Sequence, residues 1–328
     1  MKKIIFELPH MIVEHGGIKY TVDLATRVNE DPDYDVEVRF QKGEKDLINI
    51  GLPYTIGNAD DSFPECDIAV TYSDTASVTP LVKLPQVGRV MLHMLSWGMS
   101  PDCERINVGF PNVQVFTTSE RTRDKIKKDT GVDVTSIGHG FDADTWQIDN
   151  KGERGNYLAL LYNYLPKKRY GLGVEIADKL YKEGIIDGVM TFGSEHLYAH
   201  TTHPKGLIRH INNAKPEQIR ELFNECKCFL MPSETEGFNL TPMESTLCGC
   251  PAVLCDGAID SVFFNHENCC IVNKDDKERL YSEVGIIMRD NNWSLMSNLF
   301  EQNMRDIMVK HHAWQVVVNK FKKLLCKE

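Results

Sequence analysis

Ser233–Asp256 reads SETEGFNLTPMESTLCGCPAVLCD, and in it two carboxylates, Glu236 and Glu244, stand with seven residues between them, on either side of a glycine turn and a proline. The four residues from Cys228 to Met231 (CFLM) are apolar and closed by Pro232. Such a run reads as a buried parallel strand leading straight into the segment. Glu236 then lies just past a strand's carboxyl end, the edge at which open α/β sheets bind ligands. Thr241 and Pro242 are the expected N-cap and first residue of the following helix, whose free amides favour an anion, so a phosphate-bearing ligand is expected here. Glu244 falls in the expected first turn, where a carboxylate suits the helix dipole and can accept from two vicinal hydroxyls, as a ribose offers. The plain alternative is a solvated loop acid and a helix-start acid, which any isolated pair of glutamates suggests first.

Working outward, the same strand-to-helix grammar recurs on both sides. Lys3 to Leu8, Val36 to Phe40, Asp67 to Thr71, Val87 to Leu92 and Val113 to Thr117 read as strands, with Ile18 to Asn29 and a segment from Ser119 as helices. A polar stretch from Asp142 to Asn156, including DNKGERG at 149–155, breaks the pattern and reads as a linker. Strands then resume at Tyr157 to Leu161, Val189 to Phe192, Cys228 to Met231, Pro251 to Leu254 and Cys270 to Val272, with helices near Leu172 to Glu183 and Pro216 to Asn224 and a helical tail from Lys277. Alternation of this kind implies parallel sheets. The expected fold class is α/β, with two doubly wound, Rossmann-like domains facing each other across a cleft. The expected domains are 1–148, a linker 149–156, a second domain 157–310 and a final helix 311–328.

At 328 residues the chain exceeds one comfortable core. No apolar segment is long enough for a signal peptide or a membrane span, so a cytoplasmic protein is expected. Several of the ten cysteines (Cys226, Cys228, Cys255) sit in apolar runs, as buried reduced thiols do. Cys248-x-Cys250 and Cys269-Cys270 lack the separated ligand pairs of a zinc site, so no metal is expected. The net charge of −10 is uneven: residues 1–150 hold 15 lysines and arginines against 24 acids. That field opposes broad binding to phosphate backbones. Arg121, Arg123, Lys125, Lys127 and Lys128 share one helix with Glu120 and Asp124, which reads as a solvated face before it reads as a membrane or acceptor contact.

The string around the two glutamates resembles the Glu-x7-Glu signature of the family 4 retaining glycosyltransferases of the GT-B fold, usually E-G-F-G-L-x-x-x-E-A-M-A-C-G-x-P-V. Here it runs Glu236-Gly237-Phe238-Asn239-Leu240, then Glu244-Ser245-Thr246-Leu247-Cys248-Gly249-Cys250-Pro251-Ala252, with Asn239 for the usual glycine and Ser245-Thr246-Leu247 for the usual small triplet. The resemblance spans nearly the whole chain. It implies that the last helix, Trp314 to Leu325, crosses back to the first domain. Gly16 and Gly17, after Glu14-His15, occupy the place of the family's glycine-rich loop facing the donor pyrophosphate, although a glycine pair also marks ordinary turns. In Asn163-Tyr-Leu-Pro-Lys167-Lys168-Arg169, Lys168 stands at the family's lysine, whereas Asn163 stands where the family has arginine, leaving Arg169 as a candidate replacement. The plain alternative for this run is a solvated basic loop. His93, at a strand end, is either a satisfied core histidine or, as the resemblance implies, a group near the donor sugar. Ile137 to Asp142 (IGHGFD) resembles the family's N-G-V-D landmark, with His139 for asparagine.

The implied activity is transfer of a sugar from a nucleotide-diphosphate sugar, as co-substrate, to an acceptor hydroxyl with retention and without metal or other cofactor. Glu236, His93 and Lys168 are the expected catalytic set. Gly16, Gly17, Asn163, Lys168, Arg169, Phe238, Asn239, Leu240 and Glu244 are the expected donor-binding set. A glycan or lipid-linked acceptor and peripheral membrane contact are the family-wide implication; a modified base in nucleic acid is the alternative acceptor. The rivals are a non-catalytic nucleotide-sugar-binding protein on the same scaffold and a phosphorylase or epimerase, for which no pyridoxal-phosphate lysine setting is identifiable. Sugar choice is assigned to loops such as Phe192 to Thr202.

Overall fold

The computed structural model describes residues 1–9, 16–42, 51–57, 63–72, 81–95, 97, 108–149, 154–193, 207–259 and 264–326. Two compact units divide the chain: Met1–Phe141 together with His311–Glu328, and Asp142–Lys310.

The first unit holds strands β1 (Lys2–Leu8), β2 (Tyr34–Phe40), β3 (Tyr54–Ile56), β4 (Cys66–Tyr72), β5 (Val87–Met94), β6 (Val113–Thr117) and β7 (Thr135–Ser136). They pair in the order β3-β2-β1-β4-β5-β6-β7, every pair parallel. Strand β1 shows why: Ile4, Phe6 and Leu8 enter one buried cluster and Ile5 another, so both faces are covered, with Glu7 the one buried polar side chain in the run from Ile4 to Leu8. Helix α1 (Gly16–Asn29) packs on the first face through Ile18, Tyr20, Val22, Leu24, Ala25 and Val28. The carboxyl-terminal helix, Trp314–Leu325, closes the same cluster with Val317, Val318, Phe321, Leu324 and Leu325. Its Phe321 ring stands 5.9 Å from Phe6 and 5.3 Å from Phe116. Arg89 Nη2 donates to Leu324 O at 3.3 Å and Leu325 O at 3.1 Å, satisfying carbonyls that the helix end leaves open. The last helix therefore belongs physically to the first unit.

Helix α2 (Glu120–Thr130) starts on Ser119, which accepts from Thr122 N, and ends at Gly131. Its Arg123 pairs with Glu120 and Asp124, and Lys127 Nζ lies 2.7 Å from Asp133. Arg123 and Lys127 of the basic run are thus paired with acids on a solvated face, while Lys125 Nζ bonds Trp97 O at 3.4 Å.

The second unit holds β8 (Tyr157–Leu161), β9 (Gly188–Gly193), β10 (Ile208–Asn212), β11 (Cys228–Met231), β12 (Ala252–Cys255) and β13 (Cys270–Val272). Their order is β10-β9-β8-β11-β12-β13, again all parallel. Chain order runs outward from β8 in one direction and from β11 in the other, so the switch point lies between those two strands. Helices α3 (Tyr170–Lys182), α4 (Pro216–Glu225), α5 (Leu240–Leu247), α6 (Lys277–Arg289) and α7 (Trp293–His311) accompany the sheet. Cys228 and Leu230 pack toward α3 and α6. The intervening Phe229 meets Phe223 of α4 at 5.4 Å, with Phe192 beyond.

Within 149–156, which reads as a linker, 150–153 lie outside the described residues and Arg154 is buried. Its guanidinium donates to the Phe223, Cys226 and Cys248 carbonyls and stacks over Trp293. The polar composition that suggests a free linker here conceals an anchor for the ends of α4 and α5. No described helix is long and apolar enough to cross a membrane.

Candidate active site

The loops after β8, β11, β12 and β13 leave the sheet at its carboxyl edge and are bonded to one another. Residues Pro166–Lys168 form a short 3-10 turn, and Glu234 N donates to Lys167 O at 2.8 Å, joining the loops on either side of the switch point. A Cβ on Gly257 would collide with the Glu234 carbonyl, so a third loop can approach only because that position is glycine. Lys274 N donates to Asp256 Oδ1 at 3.1 Å, linking the fourth.

At the centre, Lys168 Nζ lies 2.7 Å from each oxygen of Glu236. The side chains are only 17% and 10% exposed, so the pair is far better shielded than an ordinary surface ion pair. The two residues come from the two strands that flank the switch point, where a doubly wound sheet opens its ligand crevice.

The other residues expected in the donor site depart from the expectation in several ways. Helix α5 starts at Leu240, with Asn239 as its N-cap; Thr241 and Pro242 lie inside the first turn and not at its boundary. Proline is tolerated there because the amides of the first turn have no partner within the helix. Asn239 has φ +66°, a left-handed conformation that glycine adopts freely and asparagine best among the other residues. This explains how asparagine replaces the glycine of the motif, and its Nδ2 bonds Ala258 O at 2.9 Å in addition. Glu244 consequently sits in the second turn, half-buried, and no acid stands in the first. Glu244 is therefore not placed at the positive end of the helix dipole, where the sequence predicts it. Phe238 is buried at the loop's base.

Asn163 Oδ1 accepts from Leu165 N at 2.9 Å and thereby shapes its own turn. Arg169, at φ +51°, sends Nη1 to Lys274 O at 2.6 Å and ties the β8 and β13 loops together. After α5 and its C-cap Cys248 the chain turns at Gly249, φ +71°, whose N–H bonds Thr246 O at 2.9 Å, and a Cβ there would press on Arg154 and Ile148.

In the first unit, Gly16 and Gly17 open α1; Glu14 and His15 lie outside the described residues. His93 on β5 is fully buried, stacked on Phe116 with centroids 4.7 Å apart and near Tyr20 at 5.4 Å. Burial, with a smaller push from His139, lowers its pKa to about 3, so the imidazole is neutral. Tyr20 also meets the His139 ring at 4.2 Å, and its hydroxyl donates to Gly138 O at 3.1 Å. Thr21 Oγ1, which the sequence did not single out, lies between Gly17 O at 2.9 Å and His93 Nδ1 at 3.2 Å. The only signal for it was a threonine four residues beyond a glycine turn. The loop assigned to sugar choice, 192–202, lies outside the described residues from 194 on. All nine cysteines described are free thiols, and no cluster of metal-ligating side chains occurs among the described residues.

Residues 192–290 match the family model for glycosyl transferases group 1. Among solved structures, a glycosyltransferase from Rickettsia africae superposes with a TM-score of 0.78 at 12% identity, covering 98% of this chain and 97% of that one. TarM of S. aureus, in a complex holding UDP and alpha-GlcNAc-glycerol, gives 0.77 at 10% identity over 100% of both chains. HepE of Anabaena, in complex with UDP-glucose, gives 0.76 at 13% over 99% of both. Curated protein sequences give no match. The chain has the fold of these GT-B structures, and the match to the group 1 model falls within its second unit.

Proposed function

We propose that this chain transfers a sugar from a nucleoside-diphosphate sugar to an acceptor hydroxyl, with retention of anomeric configuration and no metal ion. The observation that carries this reading is the shielded Lys168–Glu236 pair at the switch point of the sheet that holds the group 1 domain. Lys168 and the amides at the start of α5 supply positive potential for the departing diphosphate. Glu236 orients the hydroxyls of the donor sugar and stabilises positive charge developing at the anomeric carbon. The acceptor oxygen bonds that carbon from the leaving-group face as the bond to the diphosphate oxygen breaks, and the acceptor's proton leaves with the diphosphate. Glu244 receives the ribose hydroxyls; its place in the second turn leaves the acceptor chemistry of a carboxylate intact.

A glycan or lipid-linked hydroxyl is the proposed acceptor. The excess of acids over bases in residues 1–150, and the pairing of Arg123 and Lys127 of α2 with neighbouring acids, disfavour a nucleic-acid or membrane surface. One observation favours a second reading, a nucleotide-sugar-binding protein without turnover: Asn163 serves its own turn and Arg169 is bonded to Lys274 O, so neither repeats the family's arginine.

A thermal-shift screen against UDP, GDP, ADP and CMP and their sugar conjugates, with and without EDTA, tests the proposal. Selective stabilisation by one nucleoside diphosphate, unchanged by EDTA, supports it; indifference to every nucleotide rejects it. Release of free nucleotide from the selected conjugate separates the enzyme from the binding protein. Glu244→Ala is expected to weaken nucleotide binding by about 2 kcal/mol, the scale of lost charge-assisted hydrogen bonds, and unchanged affinity rejects the ribose role.

A further inference from the structure

A recess of about 380 Å³ opens in the first unit between the end of α1 and the carboxyl-terminal helix, within the size range of small-ligand pockets. Its lining is held in place before any ligand arrives. Trp314, the first residue of that helix, stacks its indole on Tyr20 with centroids 5.6 Å apart, and a Cβ on Gly140 would collide with the same ring. Arg27, in the last turn of α1, keeps its guanidinium over the indole, 4.9 Å from the ring centre. Lys322 Nζ lies 2.5 Å from Asp31 Oδ2, while Asp31 Oδ1 accepts from Asp33 N at 3.0 Å. Two lining groups nevertheless keep their hydrogen-bonding capacity. Arg27 and Glu30 stand three residues apart, a spacing at which opposite charges at a helix surface pair, yet neither forms an ion pair or a hydrogen bond among the described residues. The guanidinium stays on the indole with its planar fork of N–H donors unspent, and the exposed Glu30 carboxylate only accepts. Arg27 and Lys322 balance Glu30 and Asp31, so the lining carries no net charge, and Val318 with the indole adds apolar surface. The matching ligand is neutral, sets donors beside acceptors and has an apolar face. Vicinal hydroxyls on a sugar ring meet all three conditions.

We propose that this recess binds a hexose unit of a neutral glycan, with Arg27 donating to one ring hydroxyl and Glu30 accepting from its neighbour. The site is built wholly from the first unit, and nucleotide binding by the second unit is a separate property. Fixing the indole, Arg27 and Lys322 in advance spares the ligand the cost of ordering them.

The test titrates maltotriose, cellotriose and chitotriose, without nucleotide, into the full chain labelled with 15N-tryptophan. The Trp314 indole signal is identified by its loss in Trp314→Phe. At least one trisaccharide should shift that signal saturably. Glu30→Gln, and Arg27→Lys, which keeps the charge without the planar fork, should each weaken the same titration about tenfold, the scale of one hydrogen bond to a charged group. Should Arg27→Lys fail to fold, Glu30→Gln, at an exposed position, decides alone. A signal that no trisaccharide moves, or undiminished affinity in either folded variant, overturns the site. A saturable shift with sodium phosphate and none with the trisaccharides makes the recess an anion site and overturns the assignment as well. A positive titration beside a failed nucleotide screen rejects sugar transfer and leaves this site standing.

Discussion

Acid should unfold the first unit at a pH where most proteins of this size are stable, and the structure sets the size of the effect. His93, His139 and His312 are all at least nine-tenths buried in that unit. His139 Nδ1 bonds Gly140 O at 2.9 Å and His312 Nδ1 bonds His139 O at 3.0 Å, so each is held with one hydrogen in place. Burial is the largest cause of pKa values near about 3, about 4 and about 3, against an ordinary 6.5. Below pH 6.5 the unfolded chain therefore binds protons that the folded one refuses, and stability falls as the pH drops, until the folded histidines titrate near 3 to 4. Each histidine costs about 1.4 kcal/mol per pH unit in that window, so one unit below 6.5 the three together remove about 4 kcal/mol. That is a large part of the 5–15 kcal/mol, roughly, that holds a typical domain. Denaturant titrations at pH 7.5, 6.5 and 5.5, followed by the fluorescence of Trp314 stacked on Tyr20 at 5.6 Å, measure the loss in this unit. His139→Asn, which restores the motif's usual residue, should reduce the slope by one proton. A midpoint that does not move between pH 7.5 and 5.5, or an unchanged slope in His139→Asn, refutes the claim that these rings are buried neutral.

Lys168→Met strips the shielded Glu236 of its cation and should weaken nucleoside-diphosphate binding by about 2 kcal/mol as well as depress transfer; calorimetric titration with the selected nucleotide checks the first. Glu236→Gln should keep nucleotide affinity and depress turnover, and full activity would remove Glu236 from the catalytic set. Asn239→Gly should stay within about 1 kcal/mol of wild type, because it trades the Ala258 bond for freedom at φ +66°, whereas Asn239→Ala loses on both counts and should cost about 2 kcal/mol by denaturation of the second unit.

Sequence reading succeeds in this chain where a strand is buried on both faces. Tyr157–Leu161 and Cys228–Met231, both inside their sheet, coincide with observed strands residue for residue, because continuous apolar runs bounded by turn residues admit few other interpretations. It fails at Tyr54–Ile56, Thr135–Ser136 and Ile208–Asn212, which lie at sheet edges. Two of these are only two or three residues long, and the third, IRHIN, is half polar, so none carries a hydrophobic run of its own. Their pairing partners define them, and pairing is not a local property.

The site divides along the same line. Glu236 and Lys168 were legible because each follows a readable strand, and β8 and β11 are neighbours only through a topology that the strand-to-helix alternation already implies. What could not be read was the direction in which side chains are used. Asn163, Arg169 and Asn239 have the residue types of ligand-binding groups, yet each bonds a backbone atom of the loop edge: Leu165 N, Lys274 O and Ala258 O. Four loops meeting at one sheet edge bring backbone amides and carbonyls together that no helix or strand satisfies, and a buried backbone group left unpaired costs as much as a lost hydrogen bond. Polar side chains at that edge are therefore required by the loops themselves, besides any role toward a ligand. In this chain Lys168 is the member of the basic run that pairs with Glu236, while Arg169 beside it holds the loops. Moving the two roles apart by one residue is what composition alone could not show, since a run of Lys167, Lys168 and Arg169 offers three equivalent cations until the turn at Pro166–Lys168 and the left-handed Arg169 send them in different directions.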